Sequence, residues 1–528
     1  MAAEGRYEMY DVDKIGSSAV ISAHPSTPGP GASAPLIGKL DARISCVKTC
    51  QARVLTSPQR YLKTIPTIAF SILLVCSWEA TAGGFQAGLF NGGPAALVWG
   101  FAVAGPGTLM IVLSLAEMAS ITPSVGAQYR WTAIYCPRFL DKRFWSFLQG
   151  WLTVFAWIAS STIPPFFCGS QINGLIILNY PNYIYKGWHT TLLAYAVILL
   201  PLLCNIFARW ILKMIEIVGA ILHFVFFVVL VVVLITLGGR NSARYVFTAD
   251  SGGVSGWESP PVAWCIGLLS AVFPLTGDEV KNPEIRVPKA LITSYCVNAV
   301  VAFGFMIVLL FFMGDPEEAL STATGWPIIQ ICYQAGRTLP AANTLMAIVI
   351  IPSIIGYFNS LASVSRLTWA FARDDGLPFS EYFKVVHPKL RIPTRALALT
   401  STASMLLLLI PIGSAVAFNA IVSLATVGLY FSYLMPCLFA FMQRLNGETI
   451  APSAYSWGRW GVVLNGSASV YAIFVIVWIC FPTTLPVVAA NMNYSGPIMG
   501  FVIIFALVDW TFRGRHKFAV PLDKEAIY

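Results

Sequence analysis

Charge is scarce in this sequence. Lys, Arg, Asp and Glu make up 11% of 528 residues while 57% are hydrophobic, whereas a soluble domain carries roughly 25% charged residues. That deficit excludes an ordinary water-soluble fold. Histidine is scarcer still: His24, His189, His223, His387 and His516 lie far apart, so no metal-ligand spacing arises. Only His223 falls well inside an apolar run, where it reads as a hydrogen-bonded helix-packing residue; His189 stands at the edge of one. The eleven Cys show no CxxC pairing and lie mostly in apolar runs, as small hydrophobes do. No Walker loop, HExxH or nucleophile elbow occurs, which leaves an ATP-driven pump or a membrane hydrolase without support. The expectation is a non-enzyme without cofactor or metal.

What is abundant is apolar sequence. Runs of roughly 20 residues, the length of a bilayer-crossing helix, recur at 64–90, 93–118, 144–178, 188–208, 213–238, 260–277, 289–313, 340–365, 394–413, 416–442, 460–482 and 496–512. The expected fold class is therefore an all-α polytopic membrane protein with about 12 transmembrane helices. Mean hydropathy is +0.71. The net charge of +9 does not point to nucleic acid. With a cytoplasmic N-terminus, 29 of the 33 Lys and Arg fall in the tails and inner loops; only Lys186, Arg240, Arg244 and Arg337 fall in outer loops. This is the positive-inside pattern of an even number of crossings with both termini in the cytosol. Residues 1–60, rich in Ser, Pro, Gly and Ala, read as a disordered cytoplasmic tail, and 514–528 as a second cytoplasmic tail. No signal peptide opens the chain, so the first span is expected to act as targeting signal. The sequon at Asn493 falls in an outer loop, whereas that at Asn465 falls inside a span and should stay bare.

Carboxylates within the spans are few. Glu117 and Glu216 sit near span ends, where an ion-paired or snorkelling role is expected, and Asp278 and Glu279 follow the sixth span. Glu79 is different. It is the only ionisable acid or base between Thr64 and Leu115, near mid-membrane, where an ionisable group normally faces a cavity or a partner. Ser77, Thr81, Gly83 and Gly84 surround it, a composition that lets a helix unwind and expose backbone. A second weak point, "GLLSAVFPLTGDEVKNP", carries Pro274 and Gly277 five spans later. Two broken helices at matching places in two halves mark the binding site of an inverted-repeat transporter.

Three stretches, "NGGPAALVWGFAVAGPGTLMIVLSLAEMASITPSVGAQYRWTA" (91–133), "KNPEIRVPKAL" (281–291) and "SRLTWAFARDDGLPFS" (365–380), resemble the amino acid–polyamine–organocation permeases, most of all the fungal branch of amino acid, choline and GABA permeases. The resemblance covers roughly residues 60–515. It implies a five-plus-five inverted-repeat core of ten helices (61–442), two further helices (443–513), alternating access and uptake driven by protons. Carried over by position, it places the substrate at Ser77, Trp78, Glu79, Ala80, Thr81 and Gly83 and at Phe273, Pro274, Leu275, Thr276 and Gly277. Tyr357 and Tyr430, with Trp151 and Trp157, are candidate cavity walls, each also compatible with core or lipid packing.

Relatives of this kind continue the sixth span for eight to ten residues after its "PLTG". Here "DEVKNPEIRVP" follows at once, so the sixth span is expected to be shortened, with Asp278 and Glu279 drawn toward the membrane. The expected function is a proton-coupled permease for amino acids or amines such as choline or GABA, in the plasma or vacuolar membrane, with lipid as its surroundings. A non-transporting or sensor-like relative is the alternative. Glu79 beside Trp78 favours a cationic ligand through charge pairing and cation–π attraction and is the proton-coupling candidate; neutral amino acids also fit.

Overall fold

A computed structural model describes residues 64–122, 126–249, 254–276, 286–412, 417–448, 455–489 and 491–520. The expectations for residues 1–60, Gly277, Asp278 and Glu279 lie outside these. Among the described residues every regular element is helical, and ten helices are long and apolar enough to cross a bilayer. They are the second to fifth and seventh to twelfth apolar runs: Gly93–Ile121, Lys142–Asn179, Gly187–Phe207, Trp210–Leu237, Pro288–Phe312, Leu339–Arg373, Thr394–Ile412, Ile421–Leu445, Trp460–Ile479 and Ser495–Lys517. Two runs, the first and the sixth, are not continuous helices.

The first span is three pieces, Thr64–Val75, Ser77–Gly84 and Gln86–Phe90. Its break falls at Cys76, whose φ of 46° and ψ of 55° are left-handed, a conformation few non-glycine residues adopt. The sixth span comprises Pro260–Gly267, Leu269–Val272 and a tighter turn, Phe273–Leu275. At 1.5 Å per residue the sixteen described helical residues of this span rise about 24 Å, against a hydrocarbon layer of roughly 30 Å.

The remaining spans build a frame around these two. The third and eighth spans, of 38 and 35 residues, are the longest. The third touches the fourth, eighth, ninth, tenth and twelfth, so it forms the axis of the frame. Its start is fixed by Asp141, whose side chain accepts from the Arg143 amide, satisfying a donor the helix leaves free. The fifth span turns an apolar face outward, with Ile221, Val225, Val228 and Val232 all exposed. In a membrane protein that face belongs to lipid.

The ends are tied by polar contacts. At the end rich in Lys and Arg, Glu117 of the second span is buried against Arg444 of the tenth, with Nη2 2.6 Å from Oε2. The Trp457 amide donates to its other oxygen at 3.1 Å. Glu117 is thus an ion-paired span end. At the same end Phe518 is buried among Tyr129, Phe147 and Phe371, while Arg513 donates to the carbonyls of Asp375 and Gly376, each at 2.8 Å. The segment after the twelfth span is therefore packed against the third and eighth. At the opposite end the Asn493 amide donates to the carbonyls of Ile479 (2.7 Å) and Phe481 (3.0 Å), so the nitrogen a glycan would need is engaged. Asn465 is buried and accepts from Ser114 at 2.7 Å.

Candidate functional site at the two helix breaks

The left-handed turn at Cys76 rests on the eighth span. Its thiol donates to the Leu73 carbonyl at 3.0 Å and reaches the Pro352 carbonyl at 3.7 Å. The helix that restarts at Ser77 then presents three side chains to the fifth and seventh spans. Ser77 donates to Asn298 Oδ1 at 2.9 Å. Trp78, fully buried, donates from Nε1 to the His223 carbonyl at 3.2 Å and packs on Phe227 and Phe305. Glu79 Oε1 lies 2.8 Å from His223 Nδ1, both residues closed to solvent.

This arrangement decides what Glu79 can do chemically. An imidazole and a carboxylate joined by one hydrogen bond hold at least one proton between them. With that single proton the pair carries one negative charge, and a second proton neutralises it. Net charge buried in an apolar interior is costly, so occupancy by a proton or by a cation changes the energy of the first span's break directly. Glu79 Oε2 and His223 Nε2 have no hydrogen-bond partner among the described residues, which leaves one acceptor and one further nitrogen for that purpose.

The opposite side of the restarted helix is built from small residues. A Cβ at Gly83 would lie 1.7 Å from the Phe167 ring of the third span, so glycine is needed for this close approach. Phe167 is in turn capped edge-on by Trp326, 5.4 Å between centroids, whose Nε1 donates to Ser170 at 2.7 Å. Ser270 staples the two broken spans: it donates to the Gly84 carbonyl at 2.6 Å and accepts from the Gly88 amide at 2.8 Å. Ala80 and Gly84, one turn apart, and Phe273 and Thr276 across from them are only half-buried, in contrast to Trp78, Glu79, Thr81 and Gly83. This half-covered strip joins the two breaks.

The residues expected from sequence divide accordingly. Ser77, Trp78 and Glu79 turn to the fifth and seventh spans, and Thr81 bonds back to the Ser77 carbonyl at 2.8 Å. Ala80, Gly84, Phe273 and Thr276 form the strip, while Pro274 and Leu275 are buried in the tight turn. Tyr357 is fully buried, and Tyr430 is buried with its hydroxyl 3.1 Å from Thr108. Trp151 packs edge-on against Phe371 and Phe505, toward the twelfth span, and Trp157 is buried. His223, Asn298 and Ser270 complete the site without having been singled out as site residues. Their one signal is that each is a polar residue inside an apolar run. A separate cavity of about 560 Å³ opens at the basic end, lined by Cys136, Arg138, Lys142, Gln443 and Glu448 among others, on the loops rather than at the breaks.

A profile of a family described as amino acid permease matches residues 62–504. The chain belongs to that family. It sits in the fungal branch of the amino acid–polyamine–organocation superfamily. A protein of Macrophomina phaseolina named as a candidate amino acid/polyamine transporter is 31% identical over 439 residues, covering 81% of this chain and 96% of its own. The choline transporter of Saccharomyces cerevisiae is 26% identical over 465 residues, 86% of this chain and 81% of its own. Amino-acid permease 2 of Neurospora crassa is 27% identical over 456 residues, 82% and 81% respectively. The family membership makes this chain a multi-pass permease-type membrane protein, in agreement with its ten long apolar helices.

Proposed function

We propose that this permease is a proton-coupled secondary transporter of amino acids or small organic amines, working by alternating access between two five-helix repeats. The observation that carries the reading is the juxtaposition of the two helix breaks, stapled by Ser270, with the buried Glu79–His223 pair. The ligand lies along the half-covered strip of Ala80, Gly84, Phe273 and Thr276. Ser77, Trp78, Thr81, Gly83, Pro274, Leu275, Tyr357 and Tyr430 frame it. Helix starts at such breaks favour a ligand carboxylate, where there is one. The Glu79–His223 pair takes up the coupled proton as the net charge of the pair moves between minus one and zero. The basic end faces the cytosol, with both termini there, a reading supported by the distribution of Lys and Arg.

Uptake by the full-length protein in proteoliposomes with an imposed pH gradient tests this. Accumulation of a radiolabelled amine or amino acid that collapses with the gradient is the expected result. Glu79→Gln should abolish accumulation while leaving exchange of internal for external substrate. Unchanged affinity and unchanged accumulation in Glu79→Gln would reduce the carboxylate to a structural residue. A second reading, a sensor-like relative that binds without moving its ligand, is favoured by one observation, the sixteen residues over which the described part of the sixth span is helical. Saturable binding with no uptake in the same vesicles is its signature.

A further inference from the structure

The loop between the eighth and ninth spans holds two aromatic side chains away from the protein while its backbone is tied down. The Trp369 indole of the eighth span donates to the Lys384 carbonyl at 2.9 Å, and the Ser380 hydroxyl donates to the Leu377 carbonyl at 2.5 Å. Leu377 and Ser380 are buried, and Phe383 packs against the core. Phe379 is turned the other way. Its φ of 56° and ψ of 33° are left-handed, a backbone that a bulky residue seldom adopts, and its side chain is 80% exposed. Tyr382 and Val385, at steps of three residues from it, are exposed as well, so the three form an apolar ridge on a fixed loop.

The ninth span sets the height of this ridge. Its residues Ala398, Thr402, Leu406 and Leu409 are exposed, and their spacing puts them on one stripe, the face such a span turns to lipid. Arg395, three residues before Ala398, stands at the foot of that stripe, at the end rich in Lys and Arg. Its guanidinium lies over the Tyr382 ring, 4.2 Å from the centroid, and Nη1 donates to the Tyr382 carbonyl at 3.1 Å. The loop thus holds a cation by its ring where the apolar stripe ends, a position that snorkelling of Arg395 alone does not require. Charge then selects the partner. Residues 376–395 carry Lys384, Lys389, Arg391 and Arg395 against a single acid, Glu381. Lys384 pairs with Glu381 and Asp375, whereas Lys389, Arg391 and Arg395 have no carboxylate partner among the described residues. A guanidinium offers five N–H donors; with one given to the Tyr382 carbonyl, Arg395 keeps an edge that matches two oxygens of a phosphate.

We infer that Phe379, Tyr382 and Arg395 form a binding site for an anionic phospholipid of the leaflet at the basic end, with the phosphate on Arg395 and the acyl chains along the exposed stripe of the ninth span. Phe379 and Tyr382 enter the boundary between headgroups and hydrocarbon, where aromatic rings are favoured. Lys389 and Arg391 add the net positive charge that draws an anionic headgroup in preference to a zwitterionic one. The site is separate from the ligand strip and holds whether or not the protein transports.

Phosphatidylserine, phosphatidylcholine and the soluble headgroup glycerophosphoserine are the probes. Each is titrated into purified, delipidated full-length protein in a neutral detergent, and apparent affinity is read from the rise in melting temperature with concentration. Phosphatidylserine is expected to bind in preference to phosphatidylcholine. That preference should fall about fivefold in Arg395→Gln, the worth of one arginine at an anionic surface, with phosphatidylcholine little changed. Phe379→Ser keeps every cation and should weaken both lipids, while glycerophosphoserine, which has no acyl chains, should give no rise. Should Arg395→Gln fail to fold, Tyr382→Leu keeps the apolar bulk, removes the ring beneath the guanidinium and is expected to lower the same preference. An Arg395→Gln protein with the wild-type preference overturns the inference, as does a soluble headgroup that acts like the lipid. A melting temperature moved by neither lipid also overturns it and leaves the ridge to a protein partner.

Discussion

His223 Nδ1 stands 2.8 Å from Glu79 Oε1, joining the broken first span to the fifth with both side chains sealed from solvent. The hydrogen bond between the Trp78 indole and the His223 carbonyl fixes the same two helices one residue away. A change of charge at this pair therefore acts on the position of the helix that lines the proposed ligand strip. Removal of one partner leaves the other buried and unpaired, which costs about 3–5 kcal/mol. His223→Ala should accordingly lower the melting temperature and the monodisperse yield. The double variant Glu79→Gln/His223→Gln has no charge left to strand, so it should recover much of that stability yet fail to accumulate substrate against a pH gradient. A double variant that still accumulates would separate the pair from proton coupling.

Gly83 lies under the Phe167 ring so closely that a methyl group has no room. Gly83→Ala must push the ring, and with it Trp326, at a cost of about 1–3 kcal/mol for overpacking. Uptake should fall, and Gly83→Ala/Phe167→Leu should restore folding more fully than transport. Thermal melting by intrinsic fluorescence, read beside uptake, distinguishes the two effects. A single variant with wild-type melting would show that the ring has another place to go.

The overall architecture was legible because hydrophobic length is a one-dimensional property: twelve apolar runs became ten long helices and two broken ones. Even the identity of the broken pair was readable, from Gly83, Gly84, Pro274 and Gly277. The position of the first break was not. The helix turns at Cys76, seven residues before Gly83, because contacts to the eighth-span backbone hold the left-handed turn, and such contacts leave no local trace in sequence. His223 was recognisable as a hydrogen-bonded helix residue, but its partner lies 144 positions away. The Tyr430 hydroxyl likewise meets Thr108 on a helix 322 positions earlier.

Glu117 and Arg444 tie the second span to the tenth at the basic end, and Arg444 also donates to the Gly458 carbonyl at 2.7 Å. Arg444→Ala strands a buried carboxylate, so a stability loss of about 3–5 kcal/mol is expected. Glu117→Gln should cost less, because the amide oxygen still accepts from Arg444, although the Trp457 amide loses its acceptor oxygen. Denaturation profiles of the two variants in one detergent check the order. Equal losses would mean that packing around the pair, not its charge, fixes this end.

The sixth span ends its described course in a tight turn at Phe273–Leu275, after sixteen residues that rise about 24 Å. A polar segment cannot complete the crossing without exposing backbone groups to hydrocarbon, which only helices and closed barrels avoid. Alternating access through two matched breaks also calls for a helical arm on each side of each break. The first span has both arms, Thr64–Val75 and Ser77–Gly84. Insertion of an apolar, helix-forming segment of about ten residues after Gly277, enough to supply the missing rise of roughly 6–15 Å, should therefore raise the initial rate of uptake. It should leave ligand affinity near its wild-type value, since the strip of Ala80, Gly84, Phe273 and Thr276 precedes the insertion. If the unaltered chain moves substrate as fast as the lengthened one, the short span already completes a working crossing. If both bind and neither transports, the sensor-like reading gains what the transporter loses.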